Sequence, residues 1–170
     1  MIMATKKFIG ILLGVLVISA WVLGSAGQAG AETLNYKFYT YSIKGDWAPV
    51  ADVEGHVVGY GVRGSFLVFE NGEVAYAEAV ILRDWVKTAG TIVQYSTIKF
   101  QDGSTITSKT QGTTGVGTAG MTTEIIKGTG RFQGIKGTGA SKAKYFPQEK
   151  GEAAPKGWGE GTLTYTLPSK

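Results

Sequence analysis

One carboxylate, Glu78, lies where an acid could take part in chemistry. It belongs to Glu73–Val80, an apolar stretch predicted to be a β-strand. Because alternate residues of a strand point to the same side, Glu78 shares its face with Tyr76 and two valines. If that face is enclosed, Glu78 and Tyr76 are candidate catalytic residues, with the carboxyl acting as a general acid or as a ligand anchor. If the other face is enclosed, Glu78 is solvated and three alanines point inward: Ala75, Ala77 and Ala79.

His56 is the one histidine of the chain, and it follows two acids, Asp52 and Glu54. An imidazole beside a carboxylate can act as an acid or a base near neutral pH, which makes His56 a candidate ligand contact. No Gly-x-Ser-x-Gly element accompanies it, so a serine triad is not indicated. Two acids and one histidine in this order match no metal-binding spacing, and neither a metal nor a cofactor is expected. The alternative is a histidine at a strand end with ordinary hydrogen bonds.

Aromatic hydroxyls and one arginine form the third candidate set. Several predicted strands carry tyrosine, and three of these residues are candidate ligand contacts: Tyr36, Tyr60 and Tyr95. A phenol inside a barrel can hydrogen-bond to an oxygenated ligand, but aromatic residues at strand spacing equally form a core or an outer girdle. Arg63 joins the set because a guanidinium can anchor a carboxylate. It could instead pair with Asp84 or lie on the surface.

The framework for these side chains is predicted to be β-strands, since no stretch after Glu32 has the apolar period of a helix. The clearest hairpin is Ser65–Val80, where an Asn71-Gly72 turn joins two strands and is predicted to have positive φ at both residues. Alternating runs between glycines predict the remaining strands: Leu34–Ile43, Gly55–Arg63, Thr91–Phe100, Ser104–Thr110, Thr122–Lys127, Arg131–Lys136 and Leu163–Leu167.

The strand count gives the predicted fold class. About eight to ten strands without helical crossovers indicate an all-β, antiparallel sheet. We expect a closed barrel of about eight strands, because closure removes unpaired edges and lets the apolar faces share an interior. Such a barrel has room inside for side chains or one small ligand. A two-sheet sandwich is the alternative, and residues 32–170 are expected to form one domain.

Residues 1–31 have the pattern of a secretory signal peptide. Lys6 and Lys7 supply the positive start, Phe8–Gly24 is an uncharged apolar run, and Ala29-Gly30-Ala31 is a cleavage sequence. The run is slightly shorter than the ~20 residues of a membrane-spanning helix, which favours cleavage after Ala31 over a retained anchor. We therefore expect an exported protein, periplasmic or extracellular, without stable membrane insertion after cleavage.

Composition narrows the remaining function classes. Among 170 residues there is no Cys, which removes disulfides, thiolate nucleophiles and Cys-based zinc sites. Without Lys6 and Lys7, 15 basic residues stand against 13 acidic ones. The cations between residues 127 and 144 are scattered rather than clustered, so no nucleic-acid partner is expected. Lysines within the predicted strands also disfavour a membrane-spanning barrel, which needs a continuous apolar band.

The second half of the chain carries a pattern found in known proteins. Gly128–Gly137 surrounds Phe132 with glycines on a late hairpin, and Gly161–Pro168 is an aromatic-bearing last strand. Over roughly Ser65–Pro168, the order of these elements resembles the allene oxide cyclase-like barrel proteins and, more distantly, the dirigent proteins. With its signal-like first residues, the full chain resembles an exported, bacterial-type member of this barrel superfamily.

The resemblance implies an eight-stranded antiparallel barrel with an apolar lumen, often assembled as a homodimer or homotrimer. It also implies action by confinement of a ligand, without a cofactor. The cyclases place a Glu on an early strand, but Leu34–Ile43 contains no acid, and the Cys of the cyclases is also absent. The activity of the plant cyclases is therefore not expected, and the fold is what the resemblance supports.

Three functions remain as hypotheses, and they leave open whether the protein is an enzyme. The first is an exported soluble barrel that binds a small hydrophobic or amphipathic ligand in its lumen. The second is a cofactor-free cyclase or isomerase acting on a confined unsaturated substrate. The third is a structural or interaction protein with a packed lumen. A lumen packed shut by Phe, Trp and Tyr side chains could bind nothing, whereas a lumen cavity of ~300 Å³ or more would favour the first two hypotheses over the third.

Overall fold

The computed structural model describes residues 30–87, 89–151 and 154–169. Within these ranges, Ala31–Pro168 forms one compact unit of eight β-strands and one short 3₁₀ helix. The predicted closed antiparallel barrel is confirmed, and the alternative sandwich is not formed. Of the predicted signal peptide, residues 1–29 lie outside the described residues. No helix in the described ranges is long and apolar enough to cross a bilayer.

Each strand pairs antiparallel with the next, and β8 pairs with β1 to close the barrel. Closure gives every strand two hydrogen-bonded neighbours, so the sheet has no free edge. The 3₁₀ helix, Gly130–Phe132, lies between β6 and β7. The strands are β1 Glu32–Pro49, β2 His56–Phe69, β3 Val74–Val86, β4 Ala89–Phe100, β5 Thr105–Gly115, β6 Thr118–Thr129, β7 Lys136–Tyr145 and β8 Gly157–Thr166.

One predicted strand does not form, and two others are joined into one. Residues His56–Arg63 and Ser65–Phe69 belong to a single strand, β2, because Gly64 between them keeps its pairing with both neighbouring strands. Arg131–Lys136 is not a strand, since the chain turns inward there and buries Phe132. Removal of that ring from water stabilises the turn, and β7 begins only at Lys136.

The Asn71-Gly72 hairpin is confirmed, but its turn differs from the predicted type. Gly72 has a φ of 83°, whereas the φ of Asn71 is not positive. The Gly72 amide donates to the Phe69 carbonyl and the Phe69 amide to the Glu73 carbonyl, each at 2.9 Å. This is a three-residue loop with a glycine bulge, which requires left-handed backbone at the glycine alone. The β4–β5 turn repeats the pattern, with a φ of 82° at Gly103.

An apolar core fills the end of the barrel where β1 begins and β8 ends. The ring of Phe100 packs against Phe69 and Phe132, with centroids 5.3 and 4.9 Å apart. The guanidinium of Arg131 lies 4.7 Å from the Phe132 ring and pairs with Glu73 at 2.6 Å. Phe132 and Arg131 therefore close this end of the lumen.

Aromatic rings on one strand lie over glycines on the next, and this close approach uses much of the chain's glycine. A Cβ at Gly159 would lie 2.6 Å from the Phe38 ring and would also meet the Lys142 carbonyl. Only a residue without a side chain leaves room for the ring there. The barrel wall is thus thin on the glycine strands and filled by rings from their neighbours.

The outward face of β1–β4 is unusually apolar for a surface. The rings of Tyr41, Phe66 and Tyr76 form a row across three strands, with successive centroids 6.1 and 5.6 Å apart. Large exposed apolar side chains surround this row: Tyr39, Ile43, Tyr60, Val68, Val74, Val80, Leu82 and Tyr95. Exposed patches of this kind are typical of surfaces that contact another molecule.

We predict that Gly159→Ala lowers the free energy of unfolding by about 1–3 kcal/mol, because the added methyl overpacks the Phe38 ring. Urea unfolding followed by circular dichroism measures the change. Gly120→Ala is the matched control, since a Cβ at Gly120 meets nothing within 4 Å. Its stability should be unchanged or higher by up to ~1 kcal/mol. Equal stability of the two variants would contradict the account of ring-over-glycine packing.

Candidate functional site

The other half of the lumen is polar and contains a cavity of about 80 Å³. At roughly 10–15 Å³ for each water, this space holds about five to eight waters. One side of the cavity is aliphatic, with Ala79, Ile81 and Ile92, and the other carries hydroxyl groups. The hydroxyls bond in pairs across neighbouring strands, as Ser96 does with Ser108 at 3.1 Å. The cavity therefore offers an apolar wall, a polar wall and one guanidinium, that of Arg63.

Arg63 points into the lumen from β2 and is only 4% exposed. Its Nε donates to the Thr40 hydroxyl at 3.2 Å, and one terminal nitrogen, Nη2, donates to the Pro155 carbonyl at 2.6 Å. These two bonds fix the plane of the guanidinium. The remaining terminal nitrogen, Nη1, is buried and has no hydrogen-bond partner among the described residues. Burial lowers the pKa of Arg63.

Arg83, on β3, is 6% exposed and also points inward. Its guanidinium carbon lies 4.6 Å from the Trp85 ring centroid and 5.1 Å from that of Trp47. The two indoles are themselves stacked at 6.4 Å and 7°. Burial, followed by repulsion from Arg63, lowers the pKa of Arg83 to about 10. Its Nε is buried without a hydrogen-bond partner among the described residues.

The described residues supply no acid to balance these two cations. Eleven of the twelve described acidic residues are exposed, and the twelfth, Glu73, is bound to Arg131. The described ion pairs involve neither Arg63 nor Arg83. A buried charge normally has a partner of opposite sign, because desolvation of an isolated one costs several kcal/mol. The polar half of the lumen thus carries uncompensated positive charge.

Tyr36 is the predicted tyrosine that the structure places in the lumen. Its ring packs against Phe69 at 5.6 Å and lies over Gly161, and it lines the cavity. Burial raises the pKa of Tyr36 to about 12. With Arg63, it is one of two predicted ligand contacts that the fold brings to the same cavity.

The predicted catalytic pair lies outside the lumen. Glu78 is exposed and Tyr76 half-buried on the outer face of β3, whereas the three alternating alanines are buried and point inward: Ala75, Ala77 and Ala79. A hydrogen bond with Tyr41 raises the pKa of Tyr76. The lumen placement of Glu78 and Tyr76 is therefore wrong, and the alternative parity is correct. The reason is packing: Ala75 and Ala77 lie among the large rings of the apolar core, and Ala79 lies opposite Arg63 at the cavity.

The other predicted contacts are also apart from the cavity. Tyr60 and Tyr95 are 44% and 46% exposed on the outer face, so neither hydroxyl reaches the lumen. His56 lies at the start of β2, and its Nε2 is 2.7 Å from the Asp84 carboxylate. Asp84 thus pairs with His56 and not with Arg63, and Arg63 is buried, so of the three interpretations given for Arg63 the pairing with Asp84 and the surface position are wrong.

Sequence reasoning missed Arg83, Trp85 and Tyr145. Tyr145 lines the cavity, and the Arg63 guanidinium lies 5.4 Å from its ring centroid. Arg83 and Trp85 share the strand parity of Ala79, so the alternative in which the alanines face inward already implied them. No local motif marks Tyr145, which reaches the site only through pairing of β7 with its neighbours.

A larger hollow of about 700 Å³, here called the outer hollow, is lined by residues of β6, β7, β8, β1 and β2 and shares Tyr36, Met121 and Ser141 with the lumen cavity. Exposed side chains contribute to its lining, among them Ala140, Lys142 and Glu160. Ligand sites normally bury most of the ligand surface, and a hollow bordered by exposed residues does so less completely than the lumen. The described residues also contain no group of three His, Asp or Glu side chains placed to hold a metal ion.

Comparisons with known proteins bear on the fold. No protein-family model matches the chain, and no curated protein matches its sequence. The solved structure of the pterocarpan synthase dirigent protein PsPTS1 is similar, with a TM-score of 0.51 and 16% identity over 83% of this chain and 97% of that chain. The pterocarpan synthase dirigent protein GePTS1 has a TM-score of 0.49 and 13% identity, over 84% and 95%. The chain therefore has a dirigent-like barrel fold, as the resemblance implied, while the link to the allene oxide cyclases stays a prediction.

We predict that Arg83→Met raises the free energy of unfolding of the ligand-free protein by about 1–4 kcal/mol, because an apolar side chain replaces an unpaired buried cation. Arg131→Met is the matched control. It removes an arginine whose side chain is 41% exposed and bound to Glu73, so its stability should fall by up to ~1 kcal/mol. Chemical denaturation shows whether each substitution raises or lowers the free energy of unfolding. A less stable Arg83→Met protein would contradict this and would show that contact with the Trp47 and Trp85 rings outweighs the cost of burying the charge.

Alkaline pH should destabilise the protein through Tyr36. A phenol whose pKa is raised by folding stabilises the native state fully below pH 10, and this contribution is lost as pH rises towards 12. We expect the free energy of unfolding to fall less between pH 10 and pH 12 in Tyr36→Phe than in the unchanged protein. Tyr60→Phe, which alters an exposed ring, should keep the original profile. Identical slopes for all three proteins would contradict the burial of the Tyr36 hydroxyl.

Proposed function

We propose that this chain binds a small amphipathic ligand in the lumen of its barrel, without a cofactor. The observation that carries the proposal is the cavity beside Arg63, which joins an aliphatic wall to a buried donor without a partner. A polar group that is buried without a hydrogen-bond partner among the described residues favours a ligand that supplies that partner. The dirigent-like fold supports the same function, because it provides a closed barrel around an enclosed space.

The size of the cavity limits the ligand. Pockets for drug-sized molecules measure roughly 300–1,000 Å³, and about 80 Å³ is much smaller. The ligand we propose therefore has about five to eight non-hydrogen atoms, one for each water that the space holds. The cavity is below the ~300 Å³ expected of a ligand-binding barrel, but it shows that the lumen is not fully packed and leaves room for a small ligand.

Binding is favoured over a cyclase or isomerase reaction by what faces the cavity. General acid–base catalysis needs a proton donor or acceptor within hydrogen-bond reach of the substrate. Glu78 and His56 lie outside the lumen, and no described carboxylate points into it. The polar groups that line the cavity are the phenols of Tyr36 and Tyr145, aliphatic hydroxyls, one amide and a fixed guanidinium, which are suited to hold and orient a molecule. Burial raises the pKa of Tyr36 to about 12, which makes its phenol a poor proton donor near neutral pH.

We also propose that the protein is exported and loses residues 1–31. The support is the sequence pattern of Lys6, Lys7, the apolar run Phe8–Gly24 and the Ala29-Gly30-Ala31 cleavage sequence. The intact mass recorded in the experiment below shows whether the chain begins at Glu32. The homodimer or homotrimer implied by the resemblance stays a prediction.

We predict that the protein, purified as its host produces it, carries a small molecule that native mass spectrometry detects and organic solvent releases. Ala79→Leu should reduce the bound fraction at least tenfold, because three added carbon atoms occupy the cavity that Ala79 lines. Ala140→Leu makes the same change on the outer hollow and should leave the bound fraction unchanged. Circular dichroism of both variants checks that the barrel is still folded.

Two results would overturn lumen binding. One is an unliganded mass that no small acid, alcohol or amide in a test panel alters. The other is a ligand that Ala140→Leu displaces and Ala79→Leu does not, which would place it in the outer hollow.

A further inference from the structure

The polar half of the lumen has the features of an anion site. Arg63 and Arg83 come from neighbouring strands, and both are more than nine-tenths buried. Their charges are close enough for repulsion from Arg63 to lower the pKa of Arg83. Two like charges so placed destabilise each other as well as losing their hydration. One anion between them would relieve both costs.

Arg63 lines the cavity, whereas Arg83 and Trp85 are not among its lining residues, so an anion held by both arginines would bind at the Arg63 end of the cavity and extend beyond it. Arg63 Nη1 and Arg83 Nε are buried and unpartnered, and so is the indole nitrogen of Trp85, Nε1. The Thr40 and Pro155 bonds hold Arg63 in place before any ligand arrives. A preorganised donor loses little conformational entropy when it binds, which favours affinity. An anion with planar, paired oxygens suits guanidinium donors best.

Aromatic rings strengthen the site. Trp47, Trp85 and Tyr145 each lie 4.6–5.4 Å from a guanidinium carbon. They keep water from the cations and lower the local dielectric, which increases the attraction between a guanidinium and an anion. They also leave the faces of the guanidiniums covered, so a ligand must approach the edges, where the free N–H groups lie.

The cavity next to Arg63 selects for an organic anion. A bare halide or an inorganic anion would leave the aliphatic wall of Ala79, Ile81 and Ile92 without contacts. A short chain attached to a carboxylate would cover that wall and gain the energy of apolar burial.

We propose that the lumen binds a small organic carboxylate whose oxygens accept hydrogen bonds from Arg63 and Arg83 and whose short apolar part lies against Ala79, Ile81 and Ile92. This inference rests on the proposed lumen binding and adds the chemical class of the ligand. It assigns a binding role to Arg83, a residue with no hydrogen bond or ion pair among the described residues.

Hexanoate and hexanamide are the probes that test the charge. They have the same shape and about the same number of atoms, but only hexanoate is anionic. Isothermal titration calorimetry of the full protein, stripped of any ligand by solvent exchange, should show hexanoate binding about 10- to 100-fold more tightly than hexanamide. Arg63→Gln and Arg83→Gln should each remove most of that difference, because losing the positive charge weakens hexanoate binding more than hexanamide binding.

Two controls separate the site from general charge and from unfolding. Arg131→Gln removes an exposed arginine at the opposite end of the barrel and should leave hexanoate affinity unchanged. Arg83→Met should lose hexanoate affinity while being more stable than the unchanged protein, so its lost binding does not reflect unfolding.

The possible outcomes separate a failure of this inference from a failure of the proposed lumen binding. If hexanoate and hexanamide bind with equal affinity and Ala79→Leu abolishes both, the proposal that the ligand is a carboxylate is overturned, while the proposed lumen binding stands. Preferential hexanoate binding that survives both arginine substitutions would place the anion elsewhere and overturn the assignment of Arg63 and Arg83. Failure of both probes, together with no co-purified ligand, would overturn lumen binding and this inference together.

Discussion

Pairing of β8 with β1 closes the sheet, and this closure decides which side of every strand is enclosed. Because side chains alternate along a strand, fixing which face of β2 and β3 is enclosed decides for every residue of both strands whether it points into the lumen or outward. The parity that forms puts Arg63 and Arg83 inside and Glu78 outside. The positive lumen, the apolar outer face and the position of every candidate site residue follow from that single constraint.

The two halves of the lumen have different tasks. The apolar end, closed by Phe132 and Arg131, supplies the packing that stabilises the barrel. The polar end contains buried cations and unpaired donors, which destabilise it in the absence of a ligand. Binding sites commonly show this division, since groups arranged for a ligand are poorly satisfied without one. Both halves contain aromatic rings packed over glycines, with Phe38 over Gly159 and Trp47 over Gly59.

The barrel fold could be predicted from the sequence, whereas the face of each strand that points into the lumen could not. Alternating runs and the Asn71-Gly72 and Asp102-Gly103 turns define strands and hairpins through local chemistry alone. On β3, however, the larger apolar residues, such as Val80 and Leu82, lie outside and the alanines inside. The sequence pattern therefore left two parities open for Glu78, and only the closed barrel shows that it lies outside. Arg83 and Tyr145 meet only through the closed barrel, which no local pattern reveals.

The central claim is that the lumen of this barrel holds a carboxylate on two buried arginines. A crystal structure with bound 4-bromobutyrate tests it most directly, because anomalous scattering from bromine locates the ligand without prior assumptions. We expect bromine in the lumen near Ile81, with carboxylate oxygens within hydrogen-bond distance of Arg63 Nη1 and of Arg83 Nε. Bromine in the outer hollow beside Ala140, or a ligand reversed so that bromine faces the arginines, would contradict it.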